Sequence, residues 1–215
     1  MPAPSPYCPP PADSVLTIHI DDEIVLIDKP SGLLSVPGRG PEKAFCAQSV
    51  ASDRYGPVLT VHRLDMDTSG LMVFARSKDA QRALSRQFEK RTVGKTYEAL
   101  VEGTIADDAG KIDKAIAKYS LDRPLRHLDP DGQSAITHWR VMDRVREHSR
   151  LELHPETGRS HQLRLHLASI GHPILGDVFY GDKTLHPRLC LHAKTLEIDH
   201  PKTDARVRFS TPTPF

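Results

Sequence analysis

The sequence predicts an α+β (α/β) fold, a single domain built on a mixed, mainly antiparallel sheet with helices packed on it. Three observations carry this expectation. Short segments at 95–103, 134–145, 150–154, 189–199 and 205–210 read as strands, with apolar and polar residues alternating over 95–103. Two other stretches, 79–91 and 157–167, place apolar residues at helical spacing instead. At 215 residues the chain is long enough to bury a substantial core in one domain.

Composition narrows the class. Charged residues at 27% and hydrophobic ones at 38% fit a soluble globular protein rather than a disordered one. No apolar stretch approaches the ~20 residues that span a bilayer, so no membrane partner is expected. The N-terminus lacks the charged start and apolar core of a secretory signal. Cys8, Cys46 and Cys190 are odd in number, scattered and without a CxxC pair. That argues against a disulfide framework or a zinc site and points to a reducing cytoplasm. A net charge of +1 argues little for nucleic acid, but the charge is unevenly spread. Arg76, Lys78, Arg82, Arg86, Lys90, Arg91 and Lys95 crowd one stretch, while acids collect at Asp21-Asp22-Glu23 and Asp107-Asp108. An ordinary solvated helix face would look the same.

Taken in order, residues 1–14 form a proline-rich leader, read as flexible, ahead of a domain spanning 15–215. Val15–Ile20 and Ile24–Asp28 read as a short hairpin around Asp21-Asp22-Glu23. Lys29-Pro30-Ser31-Gly32-Leu33-Leu34 reads as a loop. The apolar runs Val58–Val61 and Leu71–Ala75 read as strands. Over 79–91, Ala80, Ala83, Leu84 and Phe88 form an apolar helical stripe, capped by Ser77 or Asp79. Arg82, Arg86 and Lys90 repeat at i+4 on another face. Beyond the strand at 95–103 come polar turns, a strand around 111–119 and a Pro/Asp/Gly loop. In the helix at 157–167, Leu163, Leu167 and Ile170 share a face, with Gly171 as C-cap and Pro173 beyond. Arg164 lies beside that face, its stem buried and its guanidinium in reach of a neighbouring loop.

The chemistry concentrates between Val58 and Ser77. Two apolar runs hold a polar corner, His62-Arg63-Leu64-Asp65, followed by the turn formers Asp67-Thr68-Ser69-Gly70. A rigid scaffold positions a reactive group in this way. Asp65, beside Arg63 and at the end of an apolar run, is the candidate nucleophile or general base. The plain alternative is an Asx-type turn formed by Asp65 and Asp67.

HRLD followed by xxTSG and an apolar strand resembles the signature of the RNA pseudouridine synthases, in particular the RluA-type branch. The resemblance recurs in KPSGLL at 29–34, in K-x-Y at Lys95–Tyr97, in GRSHQLR at 158–164 and in GHPILGD at 171–177, and so covers nearly the whole chain from about Ile24. It implies the pseudouridine synthase fold, with Asp65 catalytic, Tyr97 in the active site against the target base, and Arg164 paired with the catalytic Asp. Where the family often shows GKxAxTxY, this chain has Gln133 for the Lys and Trp139 for the Tyr. Many relatives also carry an S4-type RNA-binding module before KPSGLL, and no room for one is expected here.

The implied reaction breaks uridine's N1–C1′ bond, turns the uracil and joins C5 to C1′. It needs no nucleotide, metal or redox cofactor, in keeping with the absence of a P-loop or GxGxxG turn. Extruding a base from a stem-loop costs a few kcal/mol, and Arg63 is placed to brace the vacated stack. The implied partner is RNA, 23S rRNA and/or the tRNA anticodon stem-loop, met by a monomer. Its expected contacts are Arg63, Arg82, Arg86, Lys90, Lys95, Arg159 and His161. His161 and His166 lack a third ligand at helical spacing, so no metal is expected. Two alternatives stand beside this reading. An aspartyl phosphatase of the haloacid dehalogenase type would use Asp65-Met66-Asp67 as its DxD, but Ser69 and the polar His62-Arg63 depart from that pattern. A catalytically silent RNA-binding domain would have no use for Asp65, Tyr97 and Arg164 together.

Overall fold

The computed structural model describes residues 6–120 and 123–215. The chain divides into two compact units, Met1–Val93 with Glu197–Thr211, and Gly94–Leu196 with Pro212–Phe215. The strands form a mixed, mainly antiparallel sheet, as the sequence predicts.

In the first unit, β1 (Leu16–Ile20) and β2 (Ile24–Lys29) form the expected hairpin. Asp21 closes its turn by accepting from the backbone N–H groups of Glu23 and Ile24 at 2.8 and 2.9 Å. Burial pushes the Asp21 carboxyl up, but bonds from His19, these two N–H groups and His200 outweigh it and bring the pKa to about 2. The run at 58–61 yields only the two-residue β3 (Leu59–Thr60), because β4 (Ser69–Ala75) offers it just Ala75 and Phe74 as partners. The other edge of β4 pairs with β2 over six residues, and every β4 residue is buried. Met72 and Phe74 pack with Val25, Ile27 and Leu33 on one side, against Ala47, Val50 and Ala51 of α1 (Ala47–Tyr55).

Nothing in the apolar pattern predicts α1, and its signals are weak. Its start is capped by Cys46, whose sulfur accepts from the Ser49 N–H while Ser49 Oγ accepts from the Cys46 N–H. That is a capping box in which Cys stands where Ser, Thr or Asp is ordinarily sought. The second helix, α2 (Lys78–Lys90), falls where its stripe predicts. Ser77 is its N-cap, and it ends on Arg91 at φ +60°. Residues 1–5 of the leader lie outside the described residues. From Tyr7 onward the leader is fastened: Tyr7 Oη donates to Phe45 O and accepts from Leu34 N, both at 3.0 Å.

In the second unit the expected strand at 95–103 is β5 (Gly94–Glu102). The strand foreseen around 111–119 is two, β6 (Ala109–Asp113) and β7 (Ile116–Ser120). The Pro/Asp/Gly loop beyond contains β8 (Arg123–Leu128), which pairs with β7 as a separate hairpin. β9 (Ile136–Val145) and β10 (His148–Pro155) follow as foreseen, and β11 (Leu191–Asp199) gives the order β11–β5–β10–β9–β6. The last residues of β11 belong to the first unit, where Glu197 meets Arg206 and Arg208 of β12 (Arg206–Ser210).

The helix at 157–167 is shorter than its pattern, α3 covering only Gln162–Ala168. Thr157 is withdrawn from it because its hydroxyl accepts from Ile136 N and donates to Gln162 Oε1, and His161 sits at φ +57°, outside helical space. The C-cap is Ser169 rather than Gly171, which follows at φ +85°. Leu163, Leu167 and Ile170 do join the core of this unit, with Leu151, Leu153 and Ile174.

Two turns of helix are too short to be stable alone, and a polar chain seats them. Gln162 Nε2 donates to Thr137 Oγ1 at 3.0 Å, the Thr137 hydroxyl donates to His166 Nδ1 at 2.9 Å, and His166 Nε2–H donates to Lys114 O at 2.9 Å. The tautomer is assigned from this network. Burial pushes the His166 imidazole below its ordinary value of 6.5, against the opposing bond to Lys114 O. A depressed folded-state pKa means stability that is present above 6.5 and lost as pH falls below it. Urea unfolding of the wild type and of His166→Gln between about pH 7.5 and 5.5 checks this. The stability advantage of the wild type should shrink as pH falls, and a constant difference would contradict the assignment.

Candidate active site

Asp65 lies half-buried on the loop between β3 and β4. The segment after β2 fixes that loop by its backbone. Lys29, 0% exposed, donates from Nζ to Pro30 O at 3.0 Å, Leu33 O at 2.7 Å and Met66 O at 2.9 Å. Ser31 Oγ donates to Asp67 O at 2.6 Å, and Gly32 N to Met66 O at 3.0 Å. Ser35 Oγ donates to Leu64 O at 2.6 Å and accepts from Leu64 N at 3.0 Å. Thr68 N closes back on Asp65 O at 3.2 Å. KPSGLL is thus the cradle of HRLD. His62 anchors the near end: its Nε2 accepts from Val73 N at 3.0 Å and its ring stacks on Phe88 of α2, 17° from parallel. Arg63 is exposed on the same loop. Arg82, Arg86 and Lys90 are exposed along α2, with Arg82 engaged by Asp79.

The second unit carries Tyr97 and Arg164. Tyr97 is half-buried on β5 opposite Leu153 and packs against the core; Lys95 precedes it on the same face. The next residue, Glu98, faces the other way. Burial raises its carboxyl, but bonds from Lys194, Arg150 and Thr213 outweigh this and hold it below the usual range. Arg164 reaches a neighbouring loop, as foreseen. Its Nε and Nη2 donate to Asp177 at 2.8 and 2.6 Å, with both side chains essentially fully buried. A planar fork on a carboxylate is a strong, directional pairing. Asp177 also accepts from the backbone N–H groups of Phe179 and Tyr180, whose rings lie 5.0 and 5.6 Å from the guanidinium. Arg159 and His161 are half-buried on the approach to α3, and Arg159 Nε donates to Ser134 O.

Residue types alone assign no role to Asp177 within GHPILGD, nor to Phe179 and Tyr180 beyond it. One signal does point to the carboxylate. Gly176 stands at φ +71°, and a Cβ there would lie 2.1 Å from Arg188 O, so a backbone that admits only glycine aims the residue that follows. His161 and His166 are accounted for by ring stacking and the seat of α3, and no metal-holding cluster exists among the described residues. Among the same residues no helix is long and apolar enough to cross a membrane.

The family model described as RNA pseudouridylate synthase matches residues 23–169, a span that holds the Asp65 loop, Tyr97 and Arg164. The chain belongs to the RNA pseudouridylate synthase family. A dual-specificity RNA pseudouridine synthase RluA of Pasteurella multocida is 47% identical over 96% of this chain and 97% of its own. The ribosomal large subunit pseudouridine synthase D of Vibrio cholerae is 39% identical over 92% of this chain and 67% of its own. Among solved structures, human RNA pseudouridylate synthase domain containing 1 superposes with a TM-score of 0.81 at 26% identity, covering 96% of this chain and 86% of that one. The protein is therefore an RNA pseudouridylate synthase, an isomerase that converts uridine in RNA to pseudouridine. The phosphatase reading and that of a silent RNA-binding domain are not favoured by these relatives.

Within this synthase the Lys29 bonds are open to test. Lys29→Met strands buried carbonyls and should lower the unfolding free energy by at least about 1–3 kcal/mol. Turnover should fall as well, because the loop bearing Asp65 loses its tie to Lys29 through Met66 O. Denaturant titration and single-turnover assays on a substrate stem-loop give both readouts. Wild-type values in both would show that the ammonium does not hold the loop.

Proposed function

We propose that this synthase isomerises uridines in stem-loops of ribosomal RNA, transfer RNA or both, acting as a monomer in the cytoplasm, with Asp65 as the group that acts on the nucleoside. The observation that carries the assignment is the fixing of the Asp65 loop through its backbone at Leu64, Met66 and Asp67. A reacting group is most effective when its position is set before substrate arrives. That the P. multocida relative is a dual-specificity enzyme and the V. cholerae one a ribosomal large subunit enzyme supports a reading with 23S rRNA and/or a tRNA anticodon stem-loop as the substrate.

In this reading Asp65 either attacks the nucleoside covalently or takes a proton from its sugar as the N1–C1′ bond breaks. The uracil turns, C5 bonds to C1′, a proton leaves C5 and one is gained at N1, so the reaction is balanced without a co-substrate. Tyr97 stacks on the base and accepts the C5 proton. Arg164, its plane fixed by Asp177, supplies the positive charge that favours an ionised Asp65. Arg63 braces the helix from which the base is extruded, and Arg82, Arg86, Lys90, Lys95, Arg159 and His161 contact the RNA.

Asp65→Asn is nearly isosteric but can serve as neither nucleophile nor base. It should leave melting temperature and RNA affinity near wild type while turnover falls by at least roughly 10²–10⁴-fold. Pseudouridine formation near the wild-type rate would remove Asp65 from the chemistry. Mapping pseudouridines in RNA from cells with and without the gene identifies the target uridines.

Charge reversal at Arg82, Arg86 and Lys90 tests the exposed side of α2. A cation that pairs with a phosphate releases counterions, so each such pairing removed should flatten the plot of log affinity against log salt by roughly 0.7–0.9. An unchanged slope would make this a solvated face and nothing more.

A further inference from the structure

Phe179 is a large aromatic residue left 42% exposed, yet it is rigidly held. Its ring lies nearly parallel to His161, 17° apart with centroids at 5.5 Å, and the Tyr180 ring stands edge-on to both. Its backbone N–H is fixed on Asp177 at 2.8 Å, and the buried Arg164 guanidinium packs against it. The Tyr180 hydroxyl lies 3.0 Å from His161 Nδ1 and accepts from Arg126 N at 2.9 Å, which joins this ledge to a second feature. Burial pushes that phenol up, so it stays protonated at neutral pH.

The second feature is an open cleft of about 420 Å³, lined in part by Lys118, Arg126, Arg159 and Ser160. Among the described residues, three cations stand there against a single acid, Asp131. An exposed aromatic ledge beside a cationic cleft is the pairing that receives single-stranded nucleic acid, the ring taking a base and the cations its phosphate. Cleft and ledge are contiguous through Tyr180 and through the chain step from Ser160 to His161.

We propose that Phe179, backed by His161, is a stacking platform for an unpaired base of the RNA substrate other than the uridine being isomerised, with the adjoining phosphate held in the Lys118–Arg126–Arg159 cleft. The proposal rests on the reading that the substrate is an RNA stem-loop, whose loop supplies unpaired bases. It assigns substrate discrimination to the segment after GHPILGD, since loops that offer no base at that place lose the stack.

The test uses the full chain and one stem-loop that the wild type binds. Phe179→Leu should raise the dissociation constant roughly 5–150-fold, the equivalent of one base stack, while Phe179→Trp stays near wild type. Lys118→Glu should weaken binding and flatten its salt dependence. Melting temperatures separate these effects from unfolding. Wild-type affinity in Phe179→Leu, or an unchanged salt slope in Lys118→Glu, overturns the proposal. So does a loss confined to the single-turnover rate at saturating RNA, which would make Phe179 only a cover for Arg164. If the wild type binds RNA through Phe179 but forms no pseudouridine, the platform stands and the assigned activity falls.

Discussion

The first unit depends on a buried ammonium. Taking a cation out of water costs several kcal/mol unless its donors are met, and Lys29 meets them with the carbonyls of Pro30, Leu33 and Met66. Two of those belong to the segment that follows β2 and one to the loop that carries Asp65, so one side chain ties the two together. Lysine suits the task because an ammonium donates in diverging directions, whereas a guanidinium donates within a plane. The neighbouring bonds from Ser31, Gly32 and Ser35 also end on the loop backbone.

The second unit solves the same problem by other means. Arg164 is fixed by charge rather than by carbonyls, through a fork on Asp177 from which water is excluded. Asp177 in turn sets the backbone of Phe179 and Tyr180, so one carboxylate orients a cation and two rings together. The arrangement is unforgiving, because removal of either partner would strand a buried charge.

Most of the fold was legible because the strands read as alternating segments or as short apolar runs, as in β2 and β4, and the α2 stripe is strong. What escaped did so for physical reasons. α1 is built from small and polar residues around Ala47, Val50 and Ala51, and its cap is a cysteine, so neither periodicity nor capping announced it. β8 contains Pro124 within a polar stretch, and a two-stranded hairpin off the main sheet accepts what a central strand would refuse. The helix at 157–167 lost its first turn to the Thr157 hydroxyl bonds, which periodicity cannot register. Of the site, the Asp65 loop and the reach of Arg164 were readable from local residue types. Asp177, Phe179 and Tyr180 were not, because their significance arises only when the chain returns on α3.

The chain of donors that seats α3 has a direction. It begins at an amide nitrogen that can only give and ends at a carbonyl that can only receive, so the hydroxyl and the imidazole between them have no choice of orientation. A slip of one residue would bring Leu163 and Leu167, or His161 and Leu165, to these places, and the chain of donors would be broken. The helix therefore carries a parity check on its own alignment. Residues 162 and 166 spend one face on that check, and Arg164, halfway between them, is delivered to the opposite face. The guanidinium inherits its aim from side chains that never touch it.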